Sequence, residues 1–183
     1  MMSNILFNCG EIPPRERLSW EDSHMLEAML IAKCRSPDPN TQVGAHIVNH
    51  KNRTISKGYN GFPNGIDACS LPWDRESKSP LGTKYMYVVH AEENATYNAT
   101  TSLEKSILYV TLYPCHNCTK AIIQSGISKV VYLTNPYKDT DSCKASQRMF
   151  ELLDIKVVQH KWSNPQLVRQ CLQDILNLIP LEK

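Results

Sequence analysis

Apolar residues are spaced three or four apart in some stretches of the chain and form short continuous runs in others. The first pattern predicts helices, and the second predicts buried strands. The predicted helices cover residues 20–35, 89–102, 114–126 and 142–153, and a last one begins near Ser163-Asn164-Pro165. The predicted strands cover residues 43–48, 53–59, 107–112, 130–133 and 155–159. This order predicts an α/β fold, with a central sheet of about five strands covered by helices on both faces.

The same pattern divides the chain into three segments. Residues 1–17, with Pro13-Pro14 and mixed charges, are predicted to be a flexible lead-in, and residues 18–162 to be the main domain. Residues 163–183 are predicted to form a helix that packs on this domain or at a subunit interface. A loop over residues 60–84 is rich in Pro, Gly, Asp and Ser, and loops of this length in a compact domain are usually functional or disordered.

Composition narrows the classes of partner. The 183 residues suit one domain with a substantial core, with 42% hydrophobic and 21% charged residues. A formal net charge of +2 without any basic cluster argues against nucleic acid and anionic membranes, and favours a small molecule such as a mononucleotide. The seven cysteines are odd in number, and no secretion signal is apparent, so we expect a cytoplasmic protein with free thiols.

Candidate chemistry is concentrated in two short motifs. His90-Ala91-Glu92 begins one predicted helix, and Pro114-Cys115-His116-Asn117-Cys118 begins the next. One imidazole and two thiolates would bind Zn²⁺ in a tetrahedral site whose fourth position stays open for water. Cys115 and Cys118 are three residues apart, so their sulfur atoms project to one side of a helix, where its dipole favours the thiolate form.

Glu92 lies two residues after the candidate ligand His90, in position to move protons to and from an activated water. Ala91, between them, is small enough to let a flat ring approach the backbone. Alone, C-x-x-C is equally consistent with structural zinc or redox chemistry, and H-x-E with a solvated helix. Together, H-x-E followed by P-C-x-x-C is a signature of zinc-dependent nucleobase deaminases. His116, between the cysteines, is predicted to be exposed rather than a ligand.

Residues 18–162 resemble the deoxycytidylate (dCMP) deaminases over several further stretches. These are Asp38-Pro39-Asn40-Thr41-Gln42-Val43-Gly44-Ala45, Gly58-Tyr59-Asn60-Gly61-Phe62-Pro63-Asn64-Gly65, Leu71-Pro72-Trp73, Thr83-Lys84-Tyr85, His90-Ala91-Glu92-Glu93-Asn94-Ala95 and Tyr113-Pro114-Cys115 through Cys118. The resemblance implies a three-layer cytidine-deaminase-like fold with a mixed five-stranded sheet. It also implies hydrolysis of dCMP to dUMP and ammonia for thymidylate synthesis, in a hexamer activated by dCTP and inhibited by dTTP, with Mg²⁺ accompanying the effectors.

The resemblance further assigns roles to residues of this chain. It places His90, Cys115 and Cys118 on zinc and Glu92 in the proton shuttle. Further substrate contacts are implied at Asn60 (sugar or phosphate), Tyr113 (base), Tyr137 and Lys138 (5′-phosphate), and Asn40.

The number of zinc ions and the substrate each have alternatives. Some members hold a second, structural zinc in the loop before H-A-E, but here that loop offers only Cys69, so one zinc per chain is expected. The competing interpretations are a deaminase of modified dCMP, cytidine, cytosine or tRNA adenosine, and a zinc scaffold or nucleotide sensor without catalysis. The low net charge disfavours the tRNA substrate, and Glu92 disfavours the scaffold.

Overall fold

The computed structural model describes residues 14–180, so most of the predicted lead-in lies outside the described residues. Contacts divide the chain into two compact units. One is Trp20–Trp162, and the other combines the two flanking segments, up to Ser19 and from Ser163.

The Trp20–Trp162 unit contains a mixed five-stranded sheet in the order β2-β1-β3-β4-β5. Its helices are α1 (Trp20–Arg35), α2 (Ala91–Tyr97), α3 (His116–Gln124) and α4 (Asp141–Leu152). Its strands are β1 (Gly44–Val48), β2 (Thr54–Tyr59), β3 (Ile107–Leu112), β4 (Lys129–Thr134) and β5 (Lys156–Gln159). β1 pairs antiparallel with β2 and β3, whereas β3–β4 and β4–β5 are parallel. The predicted mixed α/β sheet is therefore confirmed.

Two details of the prediction are wrong. The helix predicted over residues 89–102 ends at Tyr97, because Asn98 caps it and a run of Thr and Ser, which favour caps and turns, follows. The apolar spacing of the helix predicted over residues 142–153 also predicts that Leu153 faces the core. Leu153 is instead 57% exposed, because α4 ends at Leu152 and the chain turns at Asp154, which has a positive φ.

The sheet separates two apolar cores. On one face, Ala45 and Ile47 of β1 pack in a cluster with Ala91 and Ala95 of α2, and residues of α3 and α4 join them. On the other face, Met25 and Ala28 of α1 pack against strand residues that include Tyr109. Helices therefore cover both faces, and the helices that carry the H-A-E and P-C-x-x-C motifs share one of them.

Two histidines lie on the α1 face. His24 of α1 and His46 of β1 are both buried, and their rings meet edge to face at 5.1 Å. Burial lowers the pKa of His24, and it lowers the pKa of His46 to about 4, so both rings are neutral near pH 7.

Close contact between strand and helix backbones positions α2. A Cβ at Gly58 would lie 2.3 Å from the Ala91 carbonyl oxygen and from the Ala95 amide nitrogen. Only glycine fits at this separation. The Ser56 hydroxyl donates to the Ala95 carbonyl at 2.7 Å, and the Asn94 amide donates to the Tyr59 carbonyl at 2.8 Å. These contacts hold the start of α2 at the end of β2.

The flanking unit contains α5 (Pro165–Asn177), which begins after an Asn164 cap. Arg15 forms an ion pair with Asp174 at 2.8 Å, and Asn164 donates to Glu16 at 3.1 Å. The sequence spacing predicts an apolar stripe on this helix that includes Leu172 and Ile175. The stripe is partly exposed, with 42% of Leu172 and 56% of Ile175 accessible.

No helix within residues 14–180 combines the length and apolar character needed to cross a membrane.

Gly58→Ala should lower the free energy of unfolding by about 3 kcal/mol, because the added methyl group overpacks the contact between β2 and α2. Gly61→Ala is the matched control, since its Cβ would meet nothing closer than 3.4 Å. Urea unfolding of both variants tests this. Equal stability of Gly58→Ala and the parent would contradict the close-contact interpretation.

Candidate active site

A cavity of about 330 Å³ opens where β2 and β3 end and α2 and α3 begin. Loops before β1, before α2 and between β4 and α4 complete its walls. Of the residues predicted to carry function, the following line it: Asn60, His90, Ala91, Glu92, Tyr113, Cys115 and Tyr137. Cys118 lies beneath, fully buried, and contacts His90. Asn40 and Lys138 are exposed and are not among the lining residues.

Three candidate metal ligands converge at the floor of the cavity. His90 Nδ1 lies 3.2 Å from Cys118 Sγ and 3.5 Å from Cys115 Sγ, and the two sulfur atoms are 3.6 Å apart. With Zn–S near 2.3 Å and Zn–N near 2.0 Å, a tetrahedral ion holds its donor atoms about 3.5–3.8 Å apart. The triangle therefore fits a zinc ion closely, and its chemistry of one imidazole and two thiols suits zinc.

The charges of these ligands are strongly coupled. Hydrogen bonds from Cys118 and His90 stabilise the Cys115 thiolate and lower its pKa to about 3. The same hydrogen bond to Cys115 raises the pKa of His90 to about 9. The hydrogen bond to Cys115, reinforced by burial, raises the pKa of Cys118. The Cys115 thiolate and the His90 imidazolium thus offset each other, and a bound metal ion would displace the protons of His90 and Cys118, because metals bind the deprotonated forms.

Glu92 lies in the first turn of α2 and is only 5% exposed. Burial raises the pKa of its carboxyl group to about 7, with His90 acting in the opposite direction. A carboxyl group with a pKa near neutrality both accepts and releases protons readily, which is what a proton shuttle requires. The neighbouring Glu93 has a different task, because it accepts a hydrogen bond from the His90 backbone amide at 3.3 Å.

Contacts with α4 hold the start of α3 in place. Cys115 is the N-cap of α3, and its carbonyl oxygen accepts the Thr119 hydroxyl at 2.9 Å. The Thr119 and Ser146 hydroxyl groups are 2.6 Å apart. His116 lies 2.8 Å from the Ser142 hydroxyl. The structure therefore gives His116 a half-buried structural contact outside the ligand triangle.

Asn60 organises one wall of the cavity. Its Oδ1 accepts hydrogen bonds from the Val43 amide and the Ser36 hydroxyl, both at 2.7 Å. Its Nδ2 donates to the Thr41 carbonyl at 2.9 Å and to Asp38 Oδ2 at 3.2 Å. All four hydrogen-bonding positions of the side chain are occupied within the protein, so a contact with substrate requires one of them to be exchanged.

A buried ion pair lies beside Asn60. Lys84 Nζ is 2.5 Å from Asp38 Oδ2, and both side chains are more than nine-tenths buried. The other Asp38 oxygen accepts the backbone amides of Asn40 and Thr41. Sequence reasoning assigned no role to this pair, although both residues lie in stretches that resemble the family. The ion pair fixes the loop before β1 against the loop before α2.

Aromatic residues and one arginine form the outer part of the cavity. The Tyr113 ring packs edge to face on Tyr132 at 4.8 Å, and burial raises the pKa of Tyr113 to about 12. Arg75, which sequence reasoning missed, donates to the Tyr85 hydroxyl at 3.2 Å. This hydrogen bond, together with Tyr137, raises the pKa of Arg75. Arg75 thus presents an exposed positive charge at the wall formed by Tyr85 and Tyr137.

Comparisons with known proteins agree with this geometry. The model of the cytidine and deoxycytidylate deaminase zinc-binding region matches residues 18–134. Deoxycytidylate deaminases from Pongo abelii and Homo sapiens are 45% and 44% identical over 139 residues, which is 75% of this chain and 78% of each relative.

A solved structure shares the fold. The dCMP deaminase of cyanophage S-TIM5, crystallised with dCMP and dUMP, is 28% identical and superposes with a TM-score of 0.59. The match covers 80% of this chain and 100% of the phage chain. The chain therefore belongs to the cytidine and deoxycytidylate deaminase family of enzymes.

Proposed function

We propose that this enzyme hydrolyses dCMP to dUMP and ammonia with one catalytic zinc per chain. The observation that carries the proposal is the convergence of His90, Cys115 and Cys118 within 3.6 Å beside the buried carboxyl group of Glu92. Relatives of up to 45% identity that are named deoxycytidylate deaminases support the substrate. The cyanophage neighbour, which binds dCMP and dUMP, supports it as well.

The residues divide the reaction between them. His90, Cys115 and Cys118 would hold the zinc, which as a Lewis acid lowers the pKa of water towards about 7. Glu92 accepts the proton of the attacking water and delivers it to ring N3 of the cytosine. After the water oxygen has bonded to C4, Glu92 takes the second proton from the resulting C4 hydroxyl group and delivers it to the amine. The C4–N bond then breaks to release ammonia, so that one carboxyl group serves the reaction twice. Burial of Glu92 supports this role by keeping its pKa near neutrality.

The cavity walls supply substrate recognition. Tyr113 packs against the base, and Ala91, without a bulky side chain, admits the ring close to the backbone of α2. Asn60 contributes to the sugar site by exchanging one of its hydrogen bonds and by holding the loop before β1. Asn40 contributes at the edge of this loop, where its side chain now donates to the Trp73 carbonyl at 3.3 Å.

Arg75 and Tyr137 form the 5′-phosphate site in this proposal. A guanidinium group offers several donors to phosphate oxygens, and Arg75 lines the cavity with Tyr137 beside it. Lys138 follows Tyr137 in sequence but does not itself line the cavity, so it is the second candidate.

Family membership extends the proposal to regulation and cellular context. We expect a cytoplasmic homohexamer that supplies dUMP for thymidylate synthesis, activated by dCTP and inhibited by dTTP with Mg²⁺. Ammonia release from dCMP, dCTP, CMP, deoxycytidine, cytosine and adenosine-containing RNA, each measured with and without these effectors, tests substrate and regulation together. If ammonia release from dCMP is no faster than release from the other substrates, the proposed activity is wrong.

Cys118→Ser should weaken zinc binding by more than about 100-fold, because it removes a ligand. Loss of a residue that only hydrogen-bonds to a ligand costs roughly 10–100-fold. His116→Gln, which changes the histidine outside the ligand triangle, should keep zinc. Metal content after dialysis against a competing chelator measures both variants. Zinc retained by Cys118→Ser at the parent level would remove the cysteine from the metal site.

Glu92→Gln should lower kcat by about 10²–10⁴-fold while zinc and nucleotide binding persist, because the amide cannot shuttle protons. Glu93→Gln is the matched control, since glutamine preserves the hydrogen bond to the His90 amide. Steady-state kinetics and equilibrium dCMP binding separate catalysis from affinity. A Glu92→Gln enzyme as active as its parent would exclude the shuttle role.

Arg75→Gln should reduce kcat/KM for dCMP by about 10–100-fold, as expected for a lost charged hydrogen bond, and leave deoxycytidine turnover nearly unchanged. Lys138→Gln should have a smaller effect on dCMP. The ratio of kcat/KM for the two substrates measures phosphate recognition. If Lys138→Gln alone changes this ratio, the phosphate lies at Lys138. If the parent enzyme turns over both substrates equally, it has no phosphate site.

A further inference from the structure

A second group of metal-ligating side chains lies on the opposite face of the sheet from the candidate zinc site. His24 and Glu27 are three residues apart on one side of α1, and His46 projects from β1 towards them. One ligand atom from each residue lies within 4.8 Å of the other two. Ala45 and Ile47, the neighbours of His46, face the α2 side instead, so His46 belongs to the α1 layer.

His24 has no hydrogen-bond partner on either ring nitrogen, although only 2% of the residue is exposed. The Asn52 side chain is near enough to oppose the lowering of the His24 pKa but does not make a hydrogen bond of normal geometry. The ring is held between Trp20, at 5.6 Å, and Tyr109, at 5.1 Å. A buried polar group without a partner is costly, and a bound metal ion would satisfy it.

His46 is oriented like a metal ligand. Its Nδ1 faces the His24 carbonyl oxygen at 3.4 Å, and its Nε2 lies 3.7 Å from Glu27 Oε2. Histidines that bind metals usually donate their other ring N–H to a backbone carbonyl or carboxylate, which leaves a lone pair for the ion. The Thr54 hydroxyl, 2.9 Å from Nε2, can rotate away as a metal binds.

Glu27 already neutralises a cation. Its carboxylate forms an ion pair with the Lys57 ammonium group, and Lys57 is the cross-strand partner of His46. Both members of the ion pair are more than a third exposed, so the lysine can swing into solvent without leaving a buried charge. Lys57 therefore competes for the carboxylate that a metal ion would bind.

We propose that His24, Glu27 and His46 form a second Zn²⁺ site, separate from the cysteine-containing site and weakened by Lys57. Two imidazoles and a carboxylate are a common zinc donor set, and water is the usual fourth ligand in such sites. The proposal departs from the expectation of one zinc per chain, which considered only the loop over residues 60–84. Binding here needs neither the proposed substrate nor turnover.

The test uses the full chain with its cysteine site already filled with zinc. Titration with Co²⁺ should add one equivalent whose absorption spectrum lacks thiolate-to-metal charge-transfer bands, because the proposed ligands are nitrogen and oxygen. Calorimetric titration with Zn²⁺ should give the same stoichiometry. Thiolate bands would mean exchange at the cysteine site and would count against a second site.

Three variants complete the design. Glu27→Gln should lower the affinity for the second equivalent of metal at least about tenfold, because it removes a ligand. Lys57→Gln should raise this affinity roughly tenfold, because it removes the positive charge that competes for Glu27. His50→Gln changes an exposed histidine in the turn between β1 and β2, outside the cluster, and should have no effect.

Deaminase activity equal to the parent in all three variants verifies that they are folded. Because Glu27 and Lys57 are partly exposed, their replacement should preserve the fold. The proposal is overturned if Lys57→Gln takes up no second equivalent, or if Glu27→Gln binds it as tightly as the parent. Neither outcome bears on the substrate of the cysteine-containing site.

Discussion

The catalytic geometry depends on one close approach, the contact between the backbones of β2 and α2 at Gly58. The strand and the helix meet with no side chain between them, and this sets the depth at which Ala91 and Ala95 pack. His90 and Glu92 flank Ala91, so their positions follow from the same contact. The two cysteines approach from α3, which is fixed separately through Thr119 and Ser146.

Burial and neighbouring charges determine the pKa values of His90, Glu92, Cys115 and Cys118. Two thiols and two ionisable partners share a region largely closed to water, so each protonation state depends on the others. Hydrogen bonds from Cys118 and then from His90 lower the pKa of Cys115, and the hydrogen bond to Cys115 raises the pKa of His90. Glu92 is affected mainly by burial. A divalent cation would replace the protons of His90 and Cys118, because metals bind the deprotonated forms of both groups.

The cavity walls show a different use of polar residues. Asn60 and Asp38 make their hydrogen bonds and ion pair within the protein itself, and these contacts join the loop before β1 to the loop between β2 and α2. A network whose hydrogen bonds are all satisfied within the protein is rigid, so this wall of the cavity keeps its shape.

How far the sequence predicts each part depends on the distance over which the relevant interaction acts. The strands and most helices were predictable, because their apolar periodicity is local. The early end of α2 was missed because apolar periodicity does not register the Asn98 cap and the Thr and Ser residues after it. The exposure of Leu153 was missed because periodicity does not register the turn at Asp154. Arg75 carries no local signature, and only the folding of its loop places it beside Tyr85 and Tyr137.

The sequence by itself determined the identity of the candidate zinc ligands and of Glu92, because each lies in a short motif at the start of a helix. Within one helical turn, the spacing of residues sets the directions in which their side chains project. The tertiary structure decided which residues share the cavity wall. It also brought His24 and His46 to Glu27, although the two histidines are 22 positions apart with no motif linking them. Residue spacing predicts which side chains share a face within one helix or strand. It does not predict contacts between α1 and the sheet, because these form only when the two elements pack together.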